Sequence, residues 1–177
     1  KEFKQIFQKI YKNNNFLYFC SILFSLIYLL LFSIIILDFI FNFDNQKKIS
    51  LLFILLICVV TDIGGFVFGK LIGGYRVTKI SPKKTISGAI GSLIFSATLA
   101  PLLIYYLTKD FEIYIIIVGL ITSISCQIGD LIFSFLKRKS FLKDTGNFLP
   151  GHGGVLDRID GILLGMPVGF LTLLMIY

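Results

Sequence analysis

Five long apolar stretches, separated by short polar ones, dominate the pattern along this chain of 177 residues. Each stretch is long enough to cross about 30 Å of hydrocarbon as a helix of ~20 residues. They cover approximately 16–41, 49–69, 85–107, 113–136 and 159–177. The pattern therefore predicts an all-α, polytopic integral membrane protein with about five transmembrane helices, forming a single transmembrane domain over 1–177.

Composition supports this class, because 56% of the residues are hydrophobic and only 15% are charged. Such values exclude an ordinary soluble domain. The net charge of +7 is explained by membrane topology and by anionic lipid headgroups, and no nucleic-acid motif is present, so no nucleic-acid partner is expected. Cys20, Cys58 and Cys126 fall within apolar stretches without metal-ligand spacing, and we interpret them as small core residues.

The basic residues are concentrated in three of the polar segments. Lys and Arg accumulate in the short cytoplasmic loops of membrane proteins, and here only Lys47, Lys48 and Lys109 lie in the first and third loops. The distribution predicts a cytoplasmic N-terminus, with loops 70–84 and 137–158 facing the cytoplasm. The concentrated residues are Lys1, Lys4, Lys9, Lys12, Lys70, Arg76, Lys79, Lys83, Lys84, Lys137, Arg138, Lys139, Lys143 and Arg158.

The segment 134–160 combines cations, carboxylates and glycines between the last two apolar stretches. Its cations can neutralise phosphate oxygens, its glycines allow backbone N–H groups to approach a ligand, and its carboxylates can hold the divalent cation of a nucleoside triphosphate. The combination predicts metal-assisted phosphoryl chemistry at a membrane surface. The residues concerned are Lys137, Arg138, Lys143 and Arg158, then Gly151, Gly153 and Gly154, then Asp144, Asp157 and Asp160.

Two acidic residues, Asp62 and Asp130, lie inside predicted helices, where an ionised carboxylate is costly unless it is paired, ligates a metal or faces a wet cavity. Each lies near the predicted cytoplasmic end of its helix, so both can line one cavity, although a helix-to-helix salt bridge is the alternative. Asp157 and Asp160 are three residues apart and share a helix face. Capping of the last helix is the alternative reading for that pair.

A second candidate phosphate site precedes the third apolar stretch. Lys84 and Thr85 follow Pro82 there, and helix N-termini attract phosphate, whereas a topology signal is the alternative explanation for the lysine. His152 is the single His of the chain. Its flanking glycines favour a contact with phosphate or ribose over metal binding.

At these residues the sequence resembles the phosphatidate cytidylyltransferases, also called CDP-diacylglycerol synthases. Every fixed position of that family's signature is met from Ser134 to Asp160, and two further segments, 127–131 and 81–85 with Gly88, are similar to family elements. The resemblance covers about the last two thirds of the chain. It implies the reaction of CTP with phosphatidate to give CDP-diacylglycerol and pyrophosphate.

The resemblance also implies Mg²⁺ as cofactor, with CTP, phosphatidate and membrane lipids as partners, and a bacterial inner membrane as location; a homodimer is left open. The implied metal ligands are Asp130 and Asp157, with Asp160 and Asp62 as second candidates. The implied catalytic residues are Asp130, Asp157, Asp160, Lys143 and Arg158. The implied substrate-binding residues are Ser81, Lys84, Thr85, Lys137, Arg138, Asp144, His152, Gly153 and Gly154.

The chain departs from the family pattern at three positions. Family members usually have Glu at the positions of Phe133 and Ser87, and a polar residue at that of Ile63. The chain is also short for the family, so we expect an N-terminal hydrophobic portion to be missing or reduced. Alternative functions are another CTP-using membrane lipid enzyme (a polyprenol kinase or an archaeal-lipid cytidylyltransferase) or a transporter with an ion path through Asp62 and Asp130.

Overall fold

The protein is a bundle of helices in the computed structural model, which describes residues 1–41, 45–78, 80–81, 84–109, 113–142, 144–146 and 153–176. Five helices are long and apolar enough to cross a membrane, which confirms the predicted all-α, multi-pass class; within the described ranges no strand is present. A shorter helix, α1, precedes them. The helices are α1 (Glu2–Ile10), α2 (Asn15–Phe41), α3 (Asn45–Leu71), α4 (Ile86–Thr108), α5 (Tyr114–Lys139) and α6 (Leu156–Ile176).

Helix boundaries differ from the hydropathy pattern where polar residues continue a helix. The fourth apolar stretch is predicted to end at 136, but α5 continues through three basic residues to Lys139. Lys and Arg are good helix formers, and cations are favourable at a helix C-terminus. Similarly, α6 begins at Leu156, before the predicted start at 159. Hydropathy alone stops at the first charged residue, whereas the backbone hydrogen bonding does not.

The short helix α1 is amphipathic, whereas the sequence pattern predicts only a basic arm before the first membrane helix. A nine-residue helix is marginal on its own in water, so packing must stabilise it. Ile6 and Phe7 are buried in a cluster with Leu156 and Leu163 of α6. Helix α1 therefore lies against the end of the bundle, beside the polar segment that connects α5 with α6.

Two helix pairs form the centre of the bundle, and glycines allow their backbones to approach closely. Between α3 and α4, a Cβ at Gly91 would lie 2.3 Å from the side chain of Phe68. Between α5 and α6, a Cβ at Gly165 would lie 2.1 Å from the Cys126 sulfur. Small residues are common at such contacts because membrane helices associate through close packing. Helix α2, in contrast, is largely exposed along its length.

The loop before α4 is closed by a short clasp of backbone hydrogen bonds. Val77 N donates to the Lys84 carbonyl at 2.9 Å, and Ile86 N donates to the Tyr75 carbonyl at 2.9 Å. Thr85 then caps α4, because its side chain accepts from Gly88 N at 3.1 Å. These hydrogen bonds hold the backbone of Lys84 in place. Lys84 lies at the same end of the bundle as α1.

Candidate functional site

A cavity of about 440 Å³ opens between the ends of α3, α4, α5 and α6. Its volume lies within the range typical of small-molecule sites. The wall carries both carboxylates and cations, and these come from separate parts of the sequence. The charged residues are Asp62, Asp130, Asp157, Asp160, Lys84, Lys137 and Arg158.

One ion pair links the loop before α4 with α5. The ammonium group of Lys84 contacts the carboxylate of Asp130, and the two side chains keep 26% and 32% of their surface exposed. The pair therefore lies at the open part of the cavity. There a bound anion can replace Asp130 as the partner of Lys84, or a bound cation can replace Lys84 as the partner of Asp130.

A second ion pair links α5 with α6. Lys137 Nζ lies 2.9 Å from Asp157 Oδ1 and 3.5 Å from Asp160 Oδ2. The three side chains are only 14%, 10% and 15% exposed. Asp157 and Asp160 therefore share a face, as their spacing predicted, and one cation bridges them.

Asp157 has a full set of hydrogen bonds within the protein. Its Oδ2 accepts from Thr145 N at 2.7 Å, from Thr145 Oγ1 at 3.0 Å and from Gly154 N at 2.9 Å. Its Oδ1 accepts from Lys137. A carboxylate so occupied is suited to holding the loop in place. The metal-ligand role of Asp157 stays a prediction, but its contacts favour positioning.

The remaining carboxylates of the cavity offer the oxygen ligands that Mg²⁺ prefers. Asp62, Asp130 and Asp160 come from α3, α5 and α6 and line the same space. Among the residues with described positions, no three acidic, His or Cys groups are arranged to hold an ion by themselves. These carboxylates fit a magnesium ion whose coordination is completed by substrate oxygens and water, which is common for this ion.

The inner part of the cavity is polar but uncharged. None of its residues is among the predicted site residues, although Gln127 belongs to the segment 127–131 that resembles a family element. Gln127 Nε2 donates to Ser92 Oγ at 2.8 Å, while Ser92 Oγ donates to the Ala89 carbonyl at 2.8 Å. Thr61 Oγ1 donates to Ser123 Oγ at 2.9 Å. Their position inside membrane-length helices is the sequence feature that could have indicated this polar wall. An isolated Ser or Thr, however, occurs in many such helices and does not identify a site.

The glycines before α6 serve the protein's own network. Gly153 has φ +85, which an L side chain rarely adopts. A Cβ at Gly154 would lie 2.2 Å from Thr145 Oγ1 and 2.6 Å from Glu2 Oε2. Since Gly154 N already donates to Asp157, this N–H holds the loop and is not directed at a ligand.

Other predicted site residues fall into three groups. Thr85 and Arg158 line the cavity. Ser81, Arg138 and Asp144 do not belong to its lining; the Ser81 carbonyl accepts from Lys84 N at 3.1 Å, and Arg138 and Asp144 are exposed. Lys143 and His152 lie outside the described residues.

Two of the departures from the family pattern have structural contacts. The ring of Phe133 lies 6.0 Å from that of Phe3, so it packs against α1. The Ser87 hydroxyl donates to the Gly73 carbonyl, and its oxygen lies 3.0 Å from Thr85 Oγ1, so it helps to close the loop before α4. Ile63 is half exposed on α3.

Comparison with known proteins gives one family. The sequence profile of the cytidylyltransferase family matches residues 3–176. A phosphatidate cytidylyltransferase of Rickettsia bellii is 38% identical over 162 residues, which cover 85% of this chain and 69% of the relative. One from Bacillus subtilis is 40% identical over 130 residues, covering 70% of this chain and 48% of the relative.

A third relative, the phosphatidate cytidylyltransferase of Staphylococcus haemolyticus, is 39% identical over 120 residues, which cover 67% of this chain and 46% of the relative. The chain thus spans about half the length of the staphylococcal and Bacillus relatives that it matches. These matches confirm the resemblance that the signature residues indicated.

Proposed function

This chain belongs to the cytidylyltransferase family, and we propose on that basis that it transfers the cytidylyl group of CTP to phosphatidate, giving CDP-diacylglycerol and pyrophosphate. The observation that carries the proposal is the charged cavity at one end of the membrane helices. It offers cations for phosphate groups and carboxylates for a divalent cation. A lipid phosphate can reach it while the acyl chains stay beside the apolar helices.

The proposed reaction is an in-line displacement. A phosphate oxygen of phosphatidate attacks the α-phosphorus of CTP, a new P–O bond forms, and the bond to the β-phosphate oxygen breaks, so that pyrophosphate leaves with the electron pair. No proton has to be removed from the attacking oxygen when the phosphate monoester is ionised, as it largely is near neutral pH. The protein must therefore supply mainly positioning and charge neutralisation.

The residues of the cavity divide this work. Lys84 and Arg158 neutralise phosphate oxygens, Arg158 through a planar donor fork that matches two of them. Asp130, Asp160 and Asp62 would hold Mg²⁺, which when bound withdraws charge from the phosphates. Lys137 and Asp157 keep the connection between α5 and α6 in place and complete the wall.

The decisive experiment uses CTP labelled at two positions. Purified protein with phosphatidate, Mg²⁺ and [α-³²P]CTP is expected to bring label into the lipid phase, whereas [γ-³²P]CTP is expected to leave it in the aqueous phase. A kinase would give the reverse pattern. Diacylglycerol and polyprenol serve as control acceptors, since neither offers the attacking phosphate; lipid label from polyprenol with γ-labelled CTP would overturn the proposal in favour of a polyprenol kinase.

We also propose a bacterial cytoplasmic membrane as location, with the cavity on the cytosolic side. Support comes from the basic residues, because α1 and the loop before α6 are in contact and so lie on one side of the membrane. Single cysteines at Tyr75 and Phe141, which are 87% and 94% exposed, should resist an impermeant thiol reagent in intact cells, while one at Ile113, which is 75% exposed, should react. The opposite labelling would reverse the orientation.

Ser140, next to Phe141, is fully buried and is unsuitable for such labelling. The homodimer left open by the sequence stays untested, and chemical cross-linking in native membranes would show whether two copies associate.

A further inference from the structure

We propose that Glu2 of α1 is a positioning residue for the cavity, and that it acts through the loop before α6. Neither the family signature nor the polar segment 134–160 includes this residue. The inference rests on the proposed function for its kinetic test, but not for its structural test.

Glu2 places its carboxylate at the N-terminus of α6. Its Oε1 accepts from Val155 N at 2.8 Å, and its Oε2 accepts from Leu156 N at 2.8 Å. The first N–H groups of a helix have no partner within the helix, and a carboxylate there is favoured by the helix dipole. A side chain more than 150 residues away in the sequence thus caps the last membrane helix.

The same carboxylate is connected to the cavity through Thr145. Thr145 Oγ1 lies 2.8 Å from Glu2 Oε2 and 3.0 Å from Asp157 Oδ2. One hydroxyl has a single hydrogen, so the two carboxylates share it, and Thr145 is held between them with 1% of its surface exposed. Asp157 in turn accepts from Lys137 on the cavity wall.

Packing of α1 does not by itself require this carboxylate. Ile6 and Phe7 already bury the apolar face of the helix. The carboxylate instead fills the space left by the missing side chain of Gly154, where an added Cβ would lie 2.6 Å from Glu2 Oε2. The contacts therefore form one continuous path from α1 to Asp157 and Lys137.

The structural test is amide hydrogen exchange of the whole chain in lipid nanodiscs. Glu2→Gln keeps the size of the side chain but replaces one acceptor oxygen by a donor. We expect exchange of the Val155 and Leu156 amides to rise about tenfold, the effect of losing about 1.4 kcal/mol of local protection. Gln8→Ala, an exposed change on the same helix, should leave exchange unchanged. Unaltered exchange in Glu2→Gln would overturn the inference whether or not the protein turns over CTP.

The kinetic test separates positioning from general destabilisation. After correction for the folded fraction, Glu2→Gln should lower kcat about tenfold, the effect typical of groups that orient a site residue, with little change in KM for CTP. Thr145→Val should have a similar effect, and the double variant should be no worse than either single one, because both interrupt one path. Additive losses, or an unchanged kcat per folded protein, would reject the path.

Discussion

The two lysine–aspartate contacts of the cavity differ in what surrounds them. Lys84, in the loop before α4, and Asp130, on α5, form a pair whose side chains are about a quarter to a third exposed. Lys137 instead contacts two carboxylates, one of which is also bound by Thr145 and Gly154. In the first contact a ligand can replace either partner, whereas the second contact is part of the enclosed hydrogen-bond network around Asp157.

This difference indicates separate roles for residues of the same chemical type. Replacing one ion-pair partner by a substrate group costs little where water already solvates the pair. Breaking an enclosed pair leaves an uncompensated charge. We therefore propose that Lys84 and Asp130 contact substrate and metal directly and that Lys137 and Asp157 position the site. Asp160 lies farther from Lys137, at 3.5 Å, and keeps its proposed metal role.

The largest expected effect is that of Asp130→Asn on turnover. It should lower kcat/KM by about two to three orders of magnitude, comparable to the loss of one group that stabilises transition-state charge, with little change in thermal stability. Transfer of the α-phosphorus label to lipid measures turnover, and loss of the helical circular dichroism signal on heating measures stability. Near-normal activity in the folded variant would remove Asp130 from the site.

Asp157→Asn is the matched comparison for that substitution. A metal-ligand role alone would predict lost turnover with an intact fold. The contacts of Asp157 predict lower thermal stability as well, because an amide nitrogen would face the donors Thr145 N or Lys137 Nζ. If Asp157→Asn were as stable as the unchanged protein, the distinction between the two contacts would fail.

Lys137→Met should give the next largest effect, on stability. Asp157 and Asp160 would lose their shared cation, and we expect the free energy of unfolding to fall by about 3 kcal/mol, as for a broken enclosed ion pair. Denaturation of the purified protein in detergent, followed by circular dichroism, measures the change.

Arg158→Lys should lower turnover by one to two orders of magnitude, at about 1.4 kcal/mol per factor of ten. Arg158 lines the cavity beside Asp157, and a Lys in its place cannot bind two phosphate oxygens through a planar fork. Lys139→Ala is the control, since Lys139 is exposed and does not line the cavity. Equal losses in both variants would indicate a diffuse positive surface in place of a defined site.

The smallest effect is expected for Lys84→Met on stability. Because the pair with Asp130 is partly exposed, its loss should change the free energy of unfolding by at most about 1 kcal/mol, while KM for CTP rises. A loss as large as that of Lys137→Met would show that both contacts are structural.

Much of the fold could be predicted from the sequence, because a segment that crosses a bilayer must be long and apolar and must satisfy its backbone internally. The polar segment before α6 and the intramembrane Asp62 and Asp130 could also be predicted as site residues. A charged side chain inside a membrane helix is energetically costly and is therefore kept mainly where it has a function. The neutral inner wall with Gln127 and Ser92 was not predicted as part of the site, because single polar residues are common in membrane helices. Gln127 was identified only within the segment 127–131 that resembles a family element.

The sequence by itself determined the membrane class, the number of membrane-length helices and the identity of most charged residues at the cavity. Only the tertiary structure decided how those residues pair, because pairing depends on which helix ends meet. Local sequence also suggested that Gly154 serves a ligand and gave no sign that Glu2 caps α6. Contacts between residues so distant in the sequence form because α1 packs against the bundle. No local sequence pattern predicts that packing.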